Sequence, residues 1–322
     1  MKRLAECKVL VTATSYASQD ERLRTTLEEK VEEVVYNPTG KPLSSIQLQD
    51  LLPEMDGMIA GLDEIDAAAL DSATELKVVA RYGVGYNNVD LEAARLHQVV
   101  VTNTPGANAK SVAELTIALI LNLLRPVIPA VQKTKEGEWP RFKGISLQGK
   151  TVGLVGCGAI GKETARRLVG FDCEILAHDI HEDQIFASEQ NVSYVPLEEL
   201  LAKSDLVSLH LPGGHETTGL VNEEFLGKMK PCSYLVNTAR GEIVDESALI
   251  SALRSGQLSG AALDVFQQEP PGVDNPLLQM EQVIMTPHMG AHSDSATNAM
   301  GWMALGECLA VLQGKEPKYR VV

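Results

Sequence analysis

TVGLVGCGAIG, Thr151 to Gly161, runs an apolar, β-rich stretch straight into Gly156, Gly158 and Gly161 at G-x-G-x-x-G spacing. That spacing suits a turn on which a dinucleotide pyrophosphate rests. The first glycine allows the tight turn, the second lets phosphate approach the backbone, and the third lets the following helix pack closely on its strand. Bare N–H groups at the helix start, on Ala159 and Ile160, would face the phosphates. Outward from the glycines, ETARRLVGF (163–171) reads as a helix and Cys173 to His178 as a second strand ending on Asp179. An acid about 20 residues past the glycines is placed to hold ribose hydroxyls. Its charge would repel a 2′-phosphate, and Ile180 and His181 follow it instead of arginine, so NAD is expected in preference to NADP.

Further out, strand-like runs alternate with helical patterns along the whole chain. Before Thr151 these are KVLVTA, EEVVYN, GMIAG, KVVAR and VVVTN, separated by ERLRTTLEEK, SIQLQDLL, DAAALDSA and DLEAARLHQ. After it come TVGLV, CEILAH, VSYV, DLVSLHL, SYLVNT, GAALDVF and QVIMTP, with helices such as PLEELLAK, NEEFLGKM and DESALISALRSG. This alternation predicts βαβ units on parallel sheets. Between the two arrays, Ser111-Val-Ala-Glu114 has the form of a capping box in front of LTIALILNLL. So apolar a helix is expected to be buried on most sides, and Pro126 and Pro129 are expected to break it. Ser293 to Gln313 reads as a final helix. Two α/β doubly wound, Rossmann-like domains follow, packed with a small-molecule cleft between them.

Composition narrows the function classes. The 322 residues suit two domains, and 44% hydrophobic with 22% charged residues is ordinary for a soluble protein. A net charge of −15 without a massed basic patch argues against a nucleic-acid partner. Cys7, Cys157, Cys173, Cys232 and Cys308 form no C-x-x-C pair and read as reduced thiols of a cytoplasmic protein. The N-terminal apolar run is interrupted by Glu6 and Lys8, and Leu115 to Leu124 is too short to span a bilayer, so neither a signal peptide nor a membrane segment is expected. His288 and His292 are four residues apart, but Pro287 and Gly290 place them in a loop without a joining acid or cysteine, so no metal site is expected.

The order of motifs then becomes recognisable. GCGAIG…HD is followed by LHLP, NTARG, DVFQQEP and TPHMG at successive strand ends, with RYGVGYNNVD (Arg81 to Asp90) and GANAKSVAE (Gly106 to Glu114) upstream. Together these resemble the D-isomer-specific 2-hydroxyacid dehydrogenases, over essentially the whole chain. They look most like the phosphoglycerate dehydrogenase-like branch, in a short form without a C-terminal regulatory domain. The resemblance implies a discontinuous, flavodoxin-like substrate domain (1–104 and 288–322). It also implies an NAD-binding domain (105–287) whose helix 111–124 packs across a two-fold axis in a homodimer.

Position by position, the resemblance makes Arg240, Glu269 and His288 the catalytic set. Hydride transfer from the nicotinamide of NAD(H) to a 2-keto acid leaves an alkoxide that an imidazole can protonate. A carboxylate beside that imidazole would orient it, and a guanidinium would grip the substrate carboxylate with two parallel bonds. The resemblance also implies substrate contacts from the backbone N–H groups of Val84 and Gly85, and substrate-side or cofactor contacts from Asn108 and Ser111. It implies cofactor contacts from His210, Pro212, Thr217, Thr238, Ala239 and Gly290. Asp264 would meet the nicotinamide carboxamide, or could equally cap a turn.

One departure bears on the substrate. Relatives that bind phosphoglycerate carry an arginine just after the third strand, where this chain reads Ile59-Ala-Gly-Leu62, which leaves Arg81 and Lys110 as candidate phosphate ligands. A general keto-acid dehydrogenase is expected, with phosphoglycerate dehydrogenase or glyoxylate/hydroxypyruvate reductase as alternatives. An NADH-sensing, corepressor-like binding protein is the alternative of another class.

Overall fold

All five upstream β-rich runs form strands in the computed structural model, which describes residues 2–322. They are β1 (Lys8–Val11), β2 (Glu33–Tyr36), β3 (Gly57–Ala60), β4 (Val78–Arg81) and β5 (Val100–Thr102). They lie in the order β2-β1-β3-β4-β5, every pair parallel, which is the flavodoxin-like arrangement. Every residue of β3 and β4 is buried, so these strands read as continuous apolar runs instead of alternating ones. Helices α1 (Arg22–Glu28), α2 (Ser45–Leu51), α3 (Ala67–Ser72) and α4 (Leu91–Leu96) make the crossovers. Side-chain oxygens of Ser44, Asp66 and Asp90 cap the last three, which fixes where each begins.

The chain continues through α5 (Ala109–Leu124) and α6 (Val127–Lys135) into a seven-stranded parallel sheet. Its strands are β6 (Thr151–Val155), β7 (Glu174–His178), β8 (Val192–Tyr194), β9 (Leu206–Leu209), β10 (Ser233–Asn237), β11 (Leu258–Leu263) and β12 (Val283–Met285). Between them run α7 (Ala159–Leu168), α8 (Gln184–Gln190), α9 (Leu197–Lys203), α10 (Glu223–Lys228) and α11 (Glu246–Ser255). The order β12-β11-β10-β9-β6-β7-β8 is the doubly wound dinucleotide order with one strand added beyond it. Its direction reverses between β6 and β9, and ligands of such sheets bind beyond the strand ends at that point. A final helix, α12 (Asp294–Leu312), returns to the first sheet and buries Met300, Ala304, Leu305 and Cys308 against it.

The chain thus forms two compact units, one running to Asn108 and resuming at Ala291–Val322, the other Ala109–Gly290. The expected boundaries, 104/105 and 287/288, fall a few residues earlier. The difference matters at the second boundary, because bonds to Asp264 tie His288 and Gly290 to the nucleotide-binding sheet.

Two local expectations are corrected around α5. The helix starts at Ala109, so Ser111 lies inside its first turn; its hydroxyl donates to the Gly290 carbonyl at 2.7 Å instead of capping. Glu114 accepts from Arg167 on α7 at 3.0 Å. Pro126 ends α5, but the chain turns helical again at once with Pro129 in the first turn of α6, where a missing N–H costs nothing. On α5, Val112, Ala113, Leu119, Ile120 and Leu124 are buried within their own unit, while Leu115, Ile117, Leu121 and Leu123 are only partly buried. The exposed apolar side chains lie just beyond it, at Val127, Ile128, Val131, Trp139 and Phe142. No single helix among the described residues is long and apolar enough to cross a membrane.

Candidate active site

The three glycines after β6 differ in what surrounds them. Gly156 sits at φ +95°, and a Cβ there would meet the His210 carbonyl oxygen at 2.7 Å. A Cβ on Gly161 would overlap the Gly156 carbonyl, so α7 can pack on this turn only through a glycine. Around Gly158, by contrast, no protein atom lies within 4 Å of where a Cβ would be. Gly158 is the N-cap of α7 and offers no side-chain cap, so the first N–H groups of that helix, at Ala159 and Ile160, open onto free space. A cradle bare of side chains at a helix N-terminus fits a pyrophosphate.

Asp179 closes one side of this cradle. Its strand runs in register with β6, and the His178 carbonyl accepts the Gly156 N–H at 2.8 Å. The Asp179 carboxylate accepts the N–H groups of Cys157 at 2.6 Å and His181 at 2.8 Å, which orients it beside the glycine turn. On the other side, after β9, His210 hydrogen-bonds Ser208 through Nε2 at 3.0 Å, while its buried Nδ1 has no partner among the described residues. Burial pulls its pKa down to about 4, so the ring is neutral near pH 7. Thr217 turns its hydroxyl back onto the carbonyls of Pro212 and Gly214, which closes that loop on itself. Thr238 bonds Thr116 of α5 at 2.9 Å and Ala239 is buried, leaving backbone atoms to line the surface there.

Beyond β10 and β11, two loops come together because Gly241 has no side chain: a Cβ there would overlap the backbone of Phe266. This close approach brings Arg240 near the loop that carries Glu269. The Arg240 guanidinium is largely buried, donates to the Ala239 carbonyl at 2.7 Å, and feels the charges of Glu242 and Glu269. Nδ1 of His288 lies 2.6 Å from Oε2 of Glu269. Burial pushes the Glu269 carboxyl up, but the hydrogen bond and charge of His288, the Phe266 N–H and Arg240 together hold it below its ordinary value. The pair is therefore a carboxylate against an imidazole whose Nε2 has no hydrogen-bond partner among the described residues.

Asp264 clasps the loop that follows β12. Buried at the end of β11, its carboxylate accepts from the Thr286 hydroxyl at 2.5 Å, the Met289 N–H at 2.9 Å and the Gly290 N–H at 2.8 Å, while its carbonyl accepts the His288 N–H at 2.8 Å. These bonds fit the capping alternative. Gly290 is pinned likewise, its N–H by Asp264 and its carbonyl by Ser111. The clasp holds His288 at φ +49°, a left-handed conformation that needs such support.

In the other unit, Arg81 is only 2% exposed and its guanidinium reaches the carbonyls of Ala60, Gly61 and Gly85. That corrects its candidacy as a direct substrate or phosphate ligand. Leu62, in the stretch Ile59-Ala-Gly-Leu62 where phosphoglycerate-binding relatives were expected to carry an arginine, is 57% exposed. Asn108 keeps a buried Oδ1 without a partner among the described residues, and Lys110 is exposed. Two contributors escaped the sequence reading: Thr286, which locks Asp264, and Asn103, which donates to the Val84 carbonyl at 2.8 Å. Asn103 follows β5 directly, and a polar residue at the C-terminal end of a parallel strand was the available signal.

A glycine turn bare of side chains, an acid beside it and a carboxylate–imidazole pair at neighbouring strand ends fit a dinucleotide-dependent oxidoreductase. The profile of the D-isomer specific 2-hydroxyacid dehydrogenase NAD binding domain matches residues 117–290. A glyoxylate reductase of Thermofilum pendens is 40% identical over 299 residues, spanning 90% of this chain and 88% of its own. A D-3-phosphoglycerate dehydrogenase of Archaeoglobus fulgidus is 40% identical over 253 residues, which is 78% of this chain but 48% of its own. Among solved structures, the D-lactate dehydrogenase of Aquifex aeolicus complexed with NAD and lactic acid superposes with a TM-score of 0.84 at 27% identity, covering 98% of this chain and 99% of that one. The chain belongs to the D-isomer specific 2-hydroxyacid dehydrogenase family, and its cofactor is NAD.

Proposed function

We propose that this protein reduces a small 2-keto acid with an uncharged side chain to the D-2-hydroxy acid, with His288 as the proton donor. The observation that carries this reading is the Glu269–His288 contact of 2.6 Å, which uses Nδ1 and leaves Nε2 for the substrate oxygen. Bound NADH supplies the hydrogen and electron pair that reach the carbonyl carbon. His288 gives its proton to the oxygen as charge develops there, and takes it back in the oxidative direction. Glu269 orients the ring and balances its positive charge. Arg240 binds the substrate carboxylate through its planar fork and helps polarise the ketone.

Exposed Leu62 and inward-turned Arg81 favour an uncharged substrate side chain over a phosphorylated one. The similarity to glyoxylate reductases over nearly their full length supports the same choice. The test is NADH oxidation with glyoxylate, pyruvate, hydroxypyruvate, phenylpyruvate and phosphohydroxypyruvate. Turnover should favour a keto acid with an uncharged side chain and give the D product wherever a stereocentre forms. Preference for phosphohydroxypyruvate would overturn the uncharged side chain, and silence on every substrate with tight NADH binding would favour the NADH-sensing alternative.

The homodimer reading rests on the exposed apolar side chains of α6 and the segment after it, Val127, Ile128, Val131 and Phe142, which exceed what a solvated helix needs. Sedimentation of the wild-type protein at micromolar concentration should show a dimer, and Ile128→Asp a monomer. A cytoplasmic location, with neither nucleic acid nor membrane as partner, is part of the same proposal and rests on charge and cysteine pattern alone.

A further inference from the structure

We infer that Glu246 is a positioning residue for the Glu269–His288 pair, because it clasps both ends of the exposed loop that carries Glu269. Asp245 and Glu246 stand together at the start of α11, and only the first serves the helix. Asp245 caps it, accepting the N–H groups of Ser247 at 2.9 Å and Ala248 at 3.2 Å. Glu246 reaches across to the loop after β11 instead. Its Oε1 accepts the Gln267 N–H and its Oε2 accepts the side-chain N–H of Asn275, each at 2.8 Å. One carboxylate thus ties residues 267 and 275 to the same helix, through hydrogen bonds strengthened by its charge.

Between those two points Gln267 to Pro270 and Gly272 to Asp274 are exposed, so solvent surrounds most of the loop. Its far end has a firm footing, since Asn275 also accepts the Leu277 N–H at 3.0 Å and Leu277 is fully buried. Its near end bears on the chemistry. Gln267 Nε2 donates to Val244 O at 2.9 Å, beside the Glu246 bond, so residues 244–246 hold Gln267 by both side chain and backbone. Gln267 follows Phe266, whose backbone lies against Gly241 and whose N–H donates to Glu269 Oε1 at 3.1 Å. Fixing Gln267 therefore fixes Phe266 from its C-terminal side, and with it the donor that orients Glu269 toward His288. A shift of about 1 Å there would misplace the carboxylate without touching the glycine turn.

This inference rests on the keto-acid reading above, and the wild-type enzyme on the panel of keto acids tests that reading by itself. The inference is then tested with Glu246→Ala and the keto acid that wild type turns over best, by single-turnover oxidation of bound NADH. The expected result is a hydride-transfer rate lowered about tenfold, the scale of one or two lost hydrogen bonds, with KM and NADH affinity nearly unchanged. Added to Glu269→Gln, the same substitution should lower the rate no further, because its effect passes through Glu269. An unchanged rate in folded Glu246→Ala, or an equal fall in both backgrounds, would overturn the inference. Glu246→Gln keeps an acceptor for the Gln267 N–H and loses the bond to Asn275. If Glu246→Ala fails to fold, Glu246→Gln carries the same test with a fall of about threefold.

Discussion

Nδ1 of His288 and Oε2 of Glu269 stand 2.6 Å apart across 19 residues of sequence, with the other oxygen of Glu269 held by the Phe266 N–H at 3.1 Å. The carboxylate is anchored before it meets the ring, so it sets the ring's orientation. His288→Ala should lower kcat by roughly 10²–10⁴-fold while NADH affinity stays nearly intact. Glu269→Gln should lower kcat severely with little change in melting temperature. Cofactor binding lost in parallel with turnover would show that His288 had been assigned the wrong task.

Asp264 joins three donors of the 286–290 loop, and an amide in its place would turn an N–H₂ toward at least one N–H. Asp264→Asn is expected to destabilise the protein by roughly 2–3 kcal/mol, the cost of breaking a buried charge-assisted set. Because the same loop carries His288, kcat should fall further than NADH affinity. Urea unfolding read beside steady-state kinetics checks both. An unchanged midpoint would mean that the loop holds its shape without the carboxylate.

His210 makes stability depend on pH. In the folded protein its ring takes up a proton only near pH 4, against about 6.5 for an unfolded histidine. Between those values the unfolded chain binds more protons, so the contribution is complete above pH 6.5 and is lost as pH falls toward 4. The slope should approach about 1.4 kcal/mol per pH unit at most, less to the extent that the edge of the site admits water. Comparing urea midpoints of wild type and His210→Asn from pH 7 to pH 4.5 should show a flatter curve for the variant. Parallel curves would place the titration elsewhere.

Asp179→Ala should weaken NADH binding and narrow its advantage over NADPH, because the carboxylate beside the glycine turn is the charge that a 2′-phosphate would meet. Titration of both cofactors decides it. An unchanged preference would remove Asp179 from the ribose site.

The sequence by itself determined the two sheets, because each parallel strand is a short apolar run bounded by helical periodicity, and both are local properties of neighbouring residues. It also determined the dinucleotide turn, where Gly156 and Gly161 are required by contacts formed within a few residues of each other or with the adjoining strand. Arg240, Glu269 and His288 were legible as chemical types at strand ends. Only the tertiary structure decided what the remaining polar residues do. Asp264 clasps a loop, Ser111 binds Gly290 instead of capping its helix, and Arg81 turns inward to three carbonyls. A polar side chain takes whichever partner the packing of distant segments brings within about 3 Å, and that choice has no signature in local sequence.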